Sequence, residues 1–378
     1  MQPFDYAFGI EEEYFLSSAA TGNLVSHAPK RLLNAAKERL GESVTAELLQ
    51  SQIEIASPIF HSIDEALHSM ASMRSTLAEL VATMGLRLVA ASTHPLGAWR
   101  EQSVTEKPRY DELMSDFRII GQRNLVCGMH VHVAVPEGVD RVALMNRAMR
   151  WLPMFLALST SSPFWDRHIT GLLSYRQAIY DEWPRSGIPD FFNSEDDYRD
   201  FVDVMAKGGA VKDASYLWWA IRPALKYPTL ELRIADVCTR VEDGVALAAL
   251  FRALLATLVS HPELGAERST HTRRLIDENR WHAKRDGTGA KFIDEQQQTA
   301  VPLAELLPQL FDIIGPEADR LGCKPSLTRI EDIMANGSSA HAQLRIYNER
   351  RVAGDSRNKA LHHVVDWLID TTARPVGR

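Results

Sequence analysis

Four segments that lie far apart in the chain alternate polar and apolar residues, and this pattern constrains the fold more than any other feature. A period of two places successive side chains on opposite faces of a β-strand. Each segment therefore predicts a strand with one apolar face for packing on helices and one polar face. The segments are residues 6–16, 51–57, 126–135 and 229–235.

The polar faces of these predicted strands carry carboxylates, imidazoles and an arginine. If the apolar faces pack on helices, the polar faces line one shared concave surface. Carboxylates a few ångströms apart raise one another's pKa or require a cation. Hard carboxylate oxygens with one or two imidazoles favour Mg²⁺ or Mn²⁺ over Zn²⁺. The polar sets are Glu11 with Glu13, Gln52 with Glu54, His130 with His132, and Glu231 with Arg233.

The segments between the strands predict an α+β fold with a mainly antiparallel sheet. Helices are predicted at residues 64–84, 141–158 and 245–258. The spacing of the strands is too uneven for the strand–helix rhythm of a doubly wound parallel sheet. No GxGxxG follows a strand and no GxxxxGK[ST] occurs, so an ATP site would not be a P-loop.

One catalytic domain is predicted over residues 1–378, with a sheet-containing core in 1–240 and a mostly helical part in 241–378 packed on it. Residues 161–193 are rich in Pro, Gly, Trp and Arg and show no clear periodicity. So long an irregular stretch is usually functional or disordered, and its aromatic residues argue against disorder. We therefore predict that this loop forms a lid.

Composition limits the partners and the compartment. A net charge of −7 without a basic run argues against nucleic acid. Three scattered cysteines without a CxxC motif fit a reducing compartment. The acidic N-terminal segment is unlike a signal peptide. The longest apolar stretch is taken as residues 151–158, well short of the ~20 residues of a membrane span. We predict a cytoplasmic protein that binds no membrane.

Each polar set also has a plainer interpretation. Glu11 and Glu13 are typical of an exposed edge strand that uses charge to prevent aggregation. The two histidines would suit a solvated strand face, and Glu231 with Arg233 a cross-strand pair. The pair Trp218–Trp219 is more typical of a core than of a ligand platform. Only the conjunction of four strands favours a site.

The motifs on these strands resemble those of the type 2 glutamate–cysteine ligases, the YbdK-like carboxylate–amine ligases. The run Gly9–Glu13 is similar to the GIExE opening of glutamate–cysteine ligases, and the resemblance extends over about residues 6–260. It implies a glutamine synthetase-like fold, in which an antiparallel sheet flanked by helices forms a funnel around metals and ATP. The other motifs, in the family's order, are Thr93-His94-Pro95, Gly128–His132, Ser162-Pro163, Ser174-Tyr175-Arg176, Ile221-Arg222-Pro223 and Glu231-Leu232-Arg233.

The resemblance also implies two metal sites. Glu13, Glu54 and Glu47 would hold one Mg²⁺. A second would be held by Glu11, His130 and Glu231. Glu47 is the least regular member, because a continuous strand would place it on the face opposite Glu54, and residues 48–50 contain no glycine for a bend.

Other residues gain roles in catalysis and nucleotide binding from the same resemblance. Arg233 would stabilise the transferred γ-phosphoryl group, with Glu13 and Glu54 completing the catalytic set. The candidates for contact with the nucleotide or a substrate carboxylate are Tyr175, Arg176, Arg222 and His132, together with Arg233.

The activity implied is ATP-dependent ligation of an amino acid carboxylate, by default the γ-carboxylate of glutamate, to an amine, by default cysteine. An acyl phosphate would be the intermediate, with ADP and phosphate released, and the resemblance implies a homodimer. Two alternatives remain open. A metal-dependent hydrolase of the amidohydrolase type also carries HxH on a strand, but near the start of a regular series of βα units. A non-catalytic binding protein could keep the same fold.

Overall fold

The computed structural model describes residues 4–376 and is built on a seven-stranded sheet. Every strand pairing in this sheet is antiparallel. The order is β10-β11-β5-β1-β3-β2, and β4 pairs with the end of β1. The strands are β1 (Phe8–Ser18), β2 (Val44–Ala46), β3 (Gln52–Ala56), β4 (Leu86–Val89), β5 (Met129–Ala134), β6 (Phe164–Trp165), β7 (His168–Ile169), β8 (Ser186–Gly187), β9 (Trp218–Trp219), β10 (Ile221–Pro223), β11 (Thr229–Leu232), β12 (Lys291–Asp294) and β13 (Thr299–Pro302).

Helices cover the apolar face of the sheet and make up most of the chain after residue 240. They are α1 (Leu32–Leu40), α2 (Ile63–Ala82), α3 (Pro108–Phe117), α4 (Ile119–Gln122), α5 (Arg141–Ala148), α6 (Leu152–Ser159), α7 (Tyr175–Tyr180), α8 (Glu195–Lys207), α9 (Val241–Ser260), α10 (Thr272–Asp286), α11 (Leu303–Arg320), α12 (Lys324–Asn336), α13 (Ser339–Val352) and α14 (Arg357–Thr372). Helix α9 contacts β1 and β5, and α2 contacts α9 and β4.

Strand β1 is the centre of the sheet, and its alternating sequence separates core from site. Phe8, Ile10 and Tyr14 are buried on the face that meets the helices. Glu11 and Glu13 lie on the opposite face and are half-buried. The predicted α+β fold with a mainly antiparallel sheet is therefore confirmed, and an amidohydrolase-type barrel, which needs parallel strands, is wrong for this chain.

Glu12 interrupts the apolar face of β1 because it forms a buried ion pair. Its carboxylate accepts hydrogen bonds from Arg74 Nη2 at 2.6 Å and Nε at 2.8 Å, and from the Tyr14 hydroxyl. Arg74 also donates to the backbone carbonyls of Cys238 and Thr239, at 2.8 and 2.9 Å. A buried charge is tolerated only when it is paired and hydrogen-bonded in this way.

Helix α9 corrects the expectation that no apolar stretch approaches the length of a membrane span. It has 20 residues and a mean hydropathy of 1.6 over its most apolar window, so by length and composition it could cross a membrane. However, 89% of that window is buried inside the protein, as expected for a core helix. Arg252 interrupts the apolar run, and its guanidinium donates to the backbone carbonyls of Asp5, Tyr6 and His61.

Two other expectations were wrong in detail. The helix predicted at 141–158 is divided into α5, a 3₁₀ turn at Met149–Trp151, and α6. Pro153, near the start of α6, lacks an N–H and cannot continue the hydrogen bonding of a single helix. The stretch at 161–193 is not one irregular loop, because it contains β6, β7, α7 and β8.

Candidate active site

The sheet register brings the four predicted polar sets together. Glu11 lies opposite His130 and Glu13 opposite Glu54, while Glu231 lies opposite His132. A cavity of about 360 Å³ opens over this face. Of the predicted polar-face and site residues, all but Gln52 and Tyr175 line it. Gln52 is buried and donates to the Val126 carbonyl at 2.7 Å. The lining residues are Glu11, Glu13, Glu47, Leu48, Glu54, Arg109, Tyr110, Leu113, Asn124, Val126, His130, His132, Arg176, Tyr180, Trp183, Trp218, Arg222, Glu231 and Arg233.

The first acidic cluster consists of Glu13, Glu47 and Glu54, whose ligand oxygens lie within 4.8 Å of one another. Burial, together with the negative charge of Glu47, raises the pKa of Glu13 to about 8. Burial and the negative charges of Glu47, Glu11 and Glu13 raise the pKa of Glu54 well above its ordinary value. Neighbouring carboxylates with raised pKa values favour the binding of a divalent cation, which would replace their protons.

Glu47 joins this cluster because β2 and β3 form a hairpin, and not because one strand bends. Thr45 of β2 lies opposite Glu54 of β3, and Glu47 directly follows β2, so the hairpin brings the two glutamates close together. The connection needs no glycine, because Gln50 is tied to a neighbouring segment. Its N–H donates to the Ser103 carbonyl at 2.9 Å, and its side-chain amide to the Val104 carbonyl at 2.8 Å.

The second acidic cluster consists of Glu11, His132 and Glu231, again with ligand atoms within 4.8 Å of one another. The resemblance had grouped His130, and not His132, with these two glutamates. In the structure His130 Nδ1 lies 3.1 Å from Glu11 Oε2, while His132 Nε2 lies 3.3 Å from Glu11 Oε1 and 3.8 Å from Glu231 Oε1. The two imidazoles therefore flank Glu11.

Hydrogen bonds and nearby positive charges keep the carboxylates of the second cluster ionised. Burial alone would raise the pKa of Glu11, but hydrogen bonds to His130 and His132 hold it well below its usual range. Burial and the nearby Arg233 lower the pKa of His130 to about 4, so this imidazole is neutral near pH 7. A neutral imidazole can ligate a metal, and His130 Nε2 is buried without a hydrogen-bond partner.

Two arginines surround Glu231. Arg222 donates from Nε to Glu231 Oε2 at 2.7 Å, and its Nη1 donates to the Leu217 carbonyl at 2.9 Å. Arg233 donates from Nη1 to Glu231 Oε1, while its Nη2 lies 3.4 Å from the Tyr180 hydroxyl. These positive charges outweigh the effect of burial and keep the pKa of Glu231 low. Arg233 Nε is buried without a hydrogen-bond partner.

Arg176 and Tyr175 differ in position although they are neighbours on α7. The Arg176 guanidinium donates to the backbone carbonyls of Arg233, Ile234 and Ala235, at 3.1 to 3.3 Å. Only its Nε, which is buried and unpartnered, remains for a ligand. Tyr175 lies outside the cavity lining and packs on Trp165, with ring centroids 5.5 Å apart.

The sequence matches one family along almost its whole length. The family model described as Glutamate-cysteine ligase family 2 matches residues 7–362. The chain belongs to this family. A relative from Ectopseudomonas mendocina, provisionally named glutamate–cysteine ligase 2, is 43% identical over 97% of this chain and 96% of its own. One of the same name from Rhodospirillum rubrum is 40% identical over 98% and 97%.

Solved structures confirm the predicted fold at much lower identity. A glutamate–cysteine ligase from Francisella tularensis, solved in complex with AMP, has a TM-score of 0.68 at 12% identity, over 100% of this chain and 94% of its own. A bifunctional glutathione synthetase from Pasteurella multocida has a TM-score of 0.71 at 14% identity, over 97% of this chain. This chain spans about half, 52%, of that longer protein.

Family membership establishes the class of reaction. This member of glutamate–cysteine ligase family 2 is an ATP-dependent carboxylate–amine ligase. The cavity and its polar clusters therefore belong to a ligase and not to a hydrolase of the amidohydrolase type.

Several cavity residues of this ligase were not predicted from the sequence. Arg109, Tyr110 and Asn124 come from α3 and the segment after α4, where no alternating pattern marks them. Trp183 follows α7. Trp218 was interpreted as a core residue together with Trp219; Trp219 is buried, but Trp218 lines the cavity.

A second, apolar groove of about 330 Å³ adjoins the second acidic cluster. It shares Glu11 and His132 with the main cavity, and its lining includes Pro58, Ile59 and Tyr227. Ile59 and Tyr227 are 69% and 62% exposed, so the groove offers apolar surface to a ligand. The polar clusters of this ligase thus have an apolar groove beside them.

Proposed function

We propose that this ligase joins the γ-carboxylate of glutamate to the amine of cysteine and that it requires Mg²⁺, for which Mn²⁺ could substitute. The observation that carries the proposal is the convergence of two acidic clusters and Arg233 in one cavity. Glu13, Glu47 and Glu54 would hold one ion, and Glu11, Glu231 and an imidazole another. The names of the relatives support the choice of substrates.

The reaction needs two steps because a carboxylate oxygen is a poor leaving group. In the first step a carboxylate oxygen attacks the γ-phosphorus of ATP, and ADP leaves. In the second the amine attacks the acyl carbonyl carbon, phosphate leaves and the amine loses a proton. Bound divalent cations would neutralise charge on the phosphate oxygens. The protein holds both partners in place, which contributes up to ~7–11 kcal/mol in well-oriented reactions.

Individual residues have distinct tasks in this scheme. Arg233 would donate to the phosphoryl group during its transfer. Its Nε has no hydrogen-bond partner, and its Nη2 makes only a long contact of 3.4 Å with the Tyr180 hydroxyl. Arg222 would hold Glu231 in place from the other side. Arg176 would fix the backbone that carries Arg233 and present its Nε to an anion. The ATP base would extend from the second cluster into the apolar groove.

We also propose a cytoplasmic location, a homodimer and one catalytic domain formed by both parts of the chain. Contacts of α9 with β1 and β5 support the single domain. All three cysteines are free and buried, in keeping with a reducing compartment. Residues 161–193 would act as a lid only in their outer part, because Arg176 ties α7 to the segment that follows β11.

The first test is whether ADP forms from Mg-ATP only when an acid and an amine are both present. We expect ADP release with L-glutamate plus L-cysteine, and less than a tenth of that rate with either amino acid alone. Coupled ADP assays and mass spectrometry of the dipeptide measure the two products. If the protein bound amino acids tightly but formed no ADP with any pair in a full panel of amino acids, a non-catalytic binding protein would be favoured.

The affinity for metal should depend on pH. In the metal-free protein the pKa of Glu13 is about 8, so below pH 8 a cation must displace its proton. We expect the affinity for Mg²⁺ to fall about tenfold per pH unit below pH 8 for each proton displaced. Calorimetric titration with MgCl₂ at pH 6.5, 7.5 and 8.5, in two buffers of different ionisation enthalpy, measures both affinity and proton release. A constant affinity across this range would contradict the proposed ligand set.

A further inference from the structure

The cavity contains buried polar atoms that the ligation scheme does not use. Buried polar groups are normally hydrogen-bonded, so a group of unpartnered ones in a single cavity indicates the positions of ligand atoms. Four of the unpartnered atoms belong to residues with proposed roles at metal or phosphate. The other two, Trp183 Nε1 and Asn124 Oδ1, have none. Within residues 4–376 the unpartnered atoms of cavity residues are those of His130, His132, Arg176, Arg233, Trp183 and Asn124.

Trp183 belongs to an apolar part of the cavity lining. We call this part the aromatic wall and define it by Trp183, Trp218 and Leu113. The two tryptophan rings meet edge to face, with centroids 5.1 Å apart. Phe117 packs behind both, at 4.8 and 5.6 Å. Trp183 is 7% exposed and its ring is held on two sides, so its N–H has a fixed direction.

The aromatic wall lies beside the first acidic cluster. Leu113 of the wall follows Tyr110 by about one turn of α3, and both line the cavity. The Tyr110 hydroxyl donates to the Ala46 carbonyl at 3.0 Å, next to Glu47. Burial raises the pKa of Tyr110, and the nearby negative charges of Glu47 and Glu54 raise it further. The apolar groove, in contrast, adjoins Glu11 and His132 of the second cluster. The aromatic wall and the apolar groove are therefore two distinct apolar surfaces beside the polar clusters.

We propose that the aromatic wall binds the amine substrate, and that this substrate is an α-amino acid with an uncharged, small or medium-sized apolar side chain. This inference rests on the proposed function, because it assumes an acyl phosphate that an amine attacks. The Trp183 N–H would donate to the α-carboxylate of the incoming amino acid. The Asn124 amide oxygen would accept a hydrogen bond from its amine, and Trp218 and Leu113 would contact its side chain.

The aromatic wall is assigned to the amine, and not to the ATP base, because of its position relative to the two acidic clusters. In the proposed scheme the base would extend from phosphates at the second cluster into the apolar groove, where Ile59 and Tyr227 are exposed. The aromatic wall adjoins the first cluster, where the acyl group would form in the proposed scheme. Trp183 of the wall and Asn124 of the cavity lining supply one unpartnered donor and one unpartnered acceptor. An α-amino acid supplies the matching acceptor and donor, and its apolar side chain gains from burial. Cysteine belongs to this class, since a thiol also packs well on aromatic rings.

The test uses Trp183→Phe, which keeps an aromatic ring and removes the N–H. With ATP and L-glutamate saturating, we expect the KM for L-cysteine to rise about tenfold, because a hydrogen bond to a charged carboxylate is lost. The KM values for ATP and L-glutamate should change by less than about twofold. Trp219→Phe is the matched control. Trp219 packs on Phe201 and Phe192 outside the cavity lining, and this variant should leave all three KM values unchanged.

A second variant and a binding measurement keep the test decisive. Asn124→Leu should raise the KM for L-cysteine in the same way, and L-leucine should be a better amine than L-aspartate or L-lysine. If no amino acid pair yields ADP, the proposed function fails, and calorimetric binding of L-cysteine to wild type and Trp183→Phe still tests the aromatic wall. An unchanged amine KM or affinity in both variants, or a rise in the KM for ATP alone, would overturn the inference.

Discussion

Replacing Glu13 with glutamine is expected to lower the rate of ADP formation from Mg-ATP, glutamate and cysteine by ~10²–10³-fold or more. The amide has almost the same shape but carries no charge, so the first acidic cluster would keep two carboxylates instead of three. A cation would be held less tightly and would neutralise less charge on the phosphates. Initial rates over a range of Mg²⁺ concentrations measure both effects.

The same variant should fold at least as well as the wild-type protein, which separates loss of a ligand from loss of structure. The folded-state pKa of Glu13, about 8, lies above its ordinary value of 4.5. Between these values the folded state binds more protons than the unfolded one, so the stability of the metal-free protein falls as pH rises through this window. Glutamine at position 13 removes the contribution of Glu13 to this dependence. We therefore expect Glu13→Gln to melt at an equal or higher temperature than wild type at pH 8 without metal.

The control for Glu13→Gln is the same exchange at an exposed position, Glu79→Gln on α2, which should change neither rate nor melting temperature. If Glu13→Gln melted several degrees lower than wild type without metal, this carboxylate would be needed for the stability of the fold. Turnover retained at the wild-type level would leave the first acidic cluster without a role in catalysis.

The sequence predicted the parts of the site that lie on regular strands. In residues 126–135, and in residues 6–16 apart from Glu12, the polar and apolar residues alternate, because one face of each strand packs on helices while the other faces the cavity. Given that periodicity, the positions of Glu11, Glu13 and His130 follow from backbone geometry alone. Neighbouring strands in the sheet then bring them to Glu54 and Glu231.

The parts that the sequence did not predict depend on contacts between segments far apart in the chain. Glu47 reaches the first acidic cluster through a hairpin held by the segment at Ser103–Val104, which no local pattern reveals. Trp183 and Asn124 lie in irregular segments, so their directions are set by packing and not by a period. Tyr175 and Arg176 are adjacent in one motif, yet the helix turns only Arg176 into the cavity.

Replacing Arg233 with alanine should lower kcat by ~10³–10⁵-fold, the range found for arginines that stabilise a phosphoryl group in transfer. The effect should fall mainly on kcat, because the guanidinium would contact the phosphoryl oxygens most strongly as their charge is redistributed. Arg233→Lys keeps the positive charge but loses the planar, forked donors, and we expect it to recover only part of the rate. Steady-state kinetics with ATP, glutamate and cysteine each varied in turn separate kcat from KM.

Loss of Arg233 should not unfold the protein, and this makes the prediction decisive. Glu231 is buried, but Arg222 still donates to it at 2.7 Å, so the carboxylate keeps a positive partner in the variant. Arg199→Ala, at an exposed arginine on α8 that pairs with Glu195, is the matched control and should retain full activity. Since the fold is expected to persist, an Arg233→Ala protein with intact melting behaviour and near wild-type kcat would remove this residue from phosphoryl transfer. The site would then depend on its carboxylates and their cations alone.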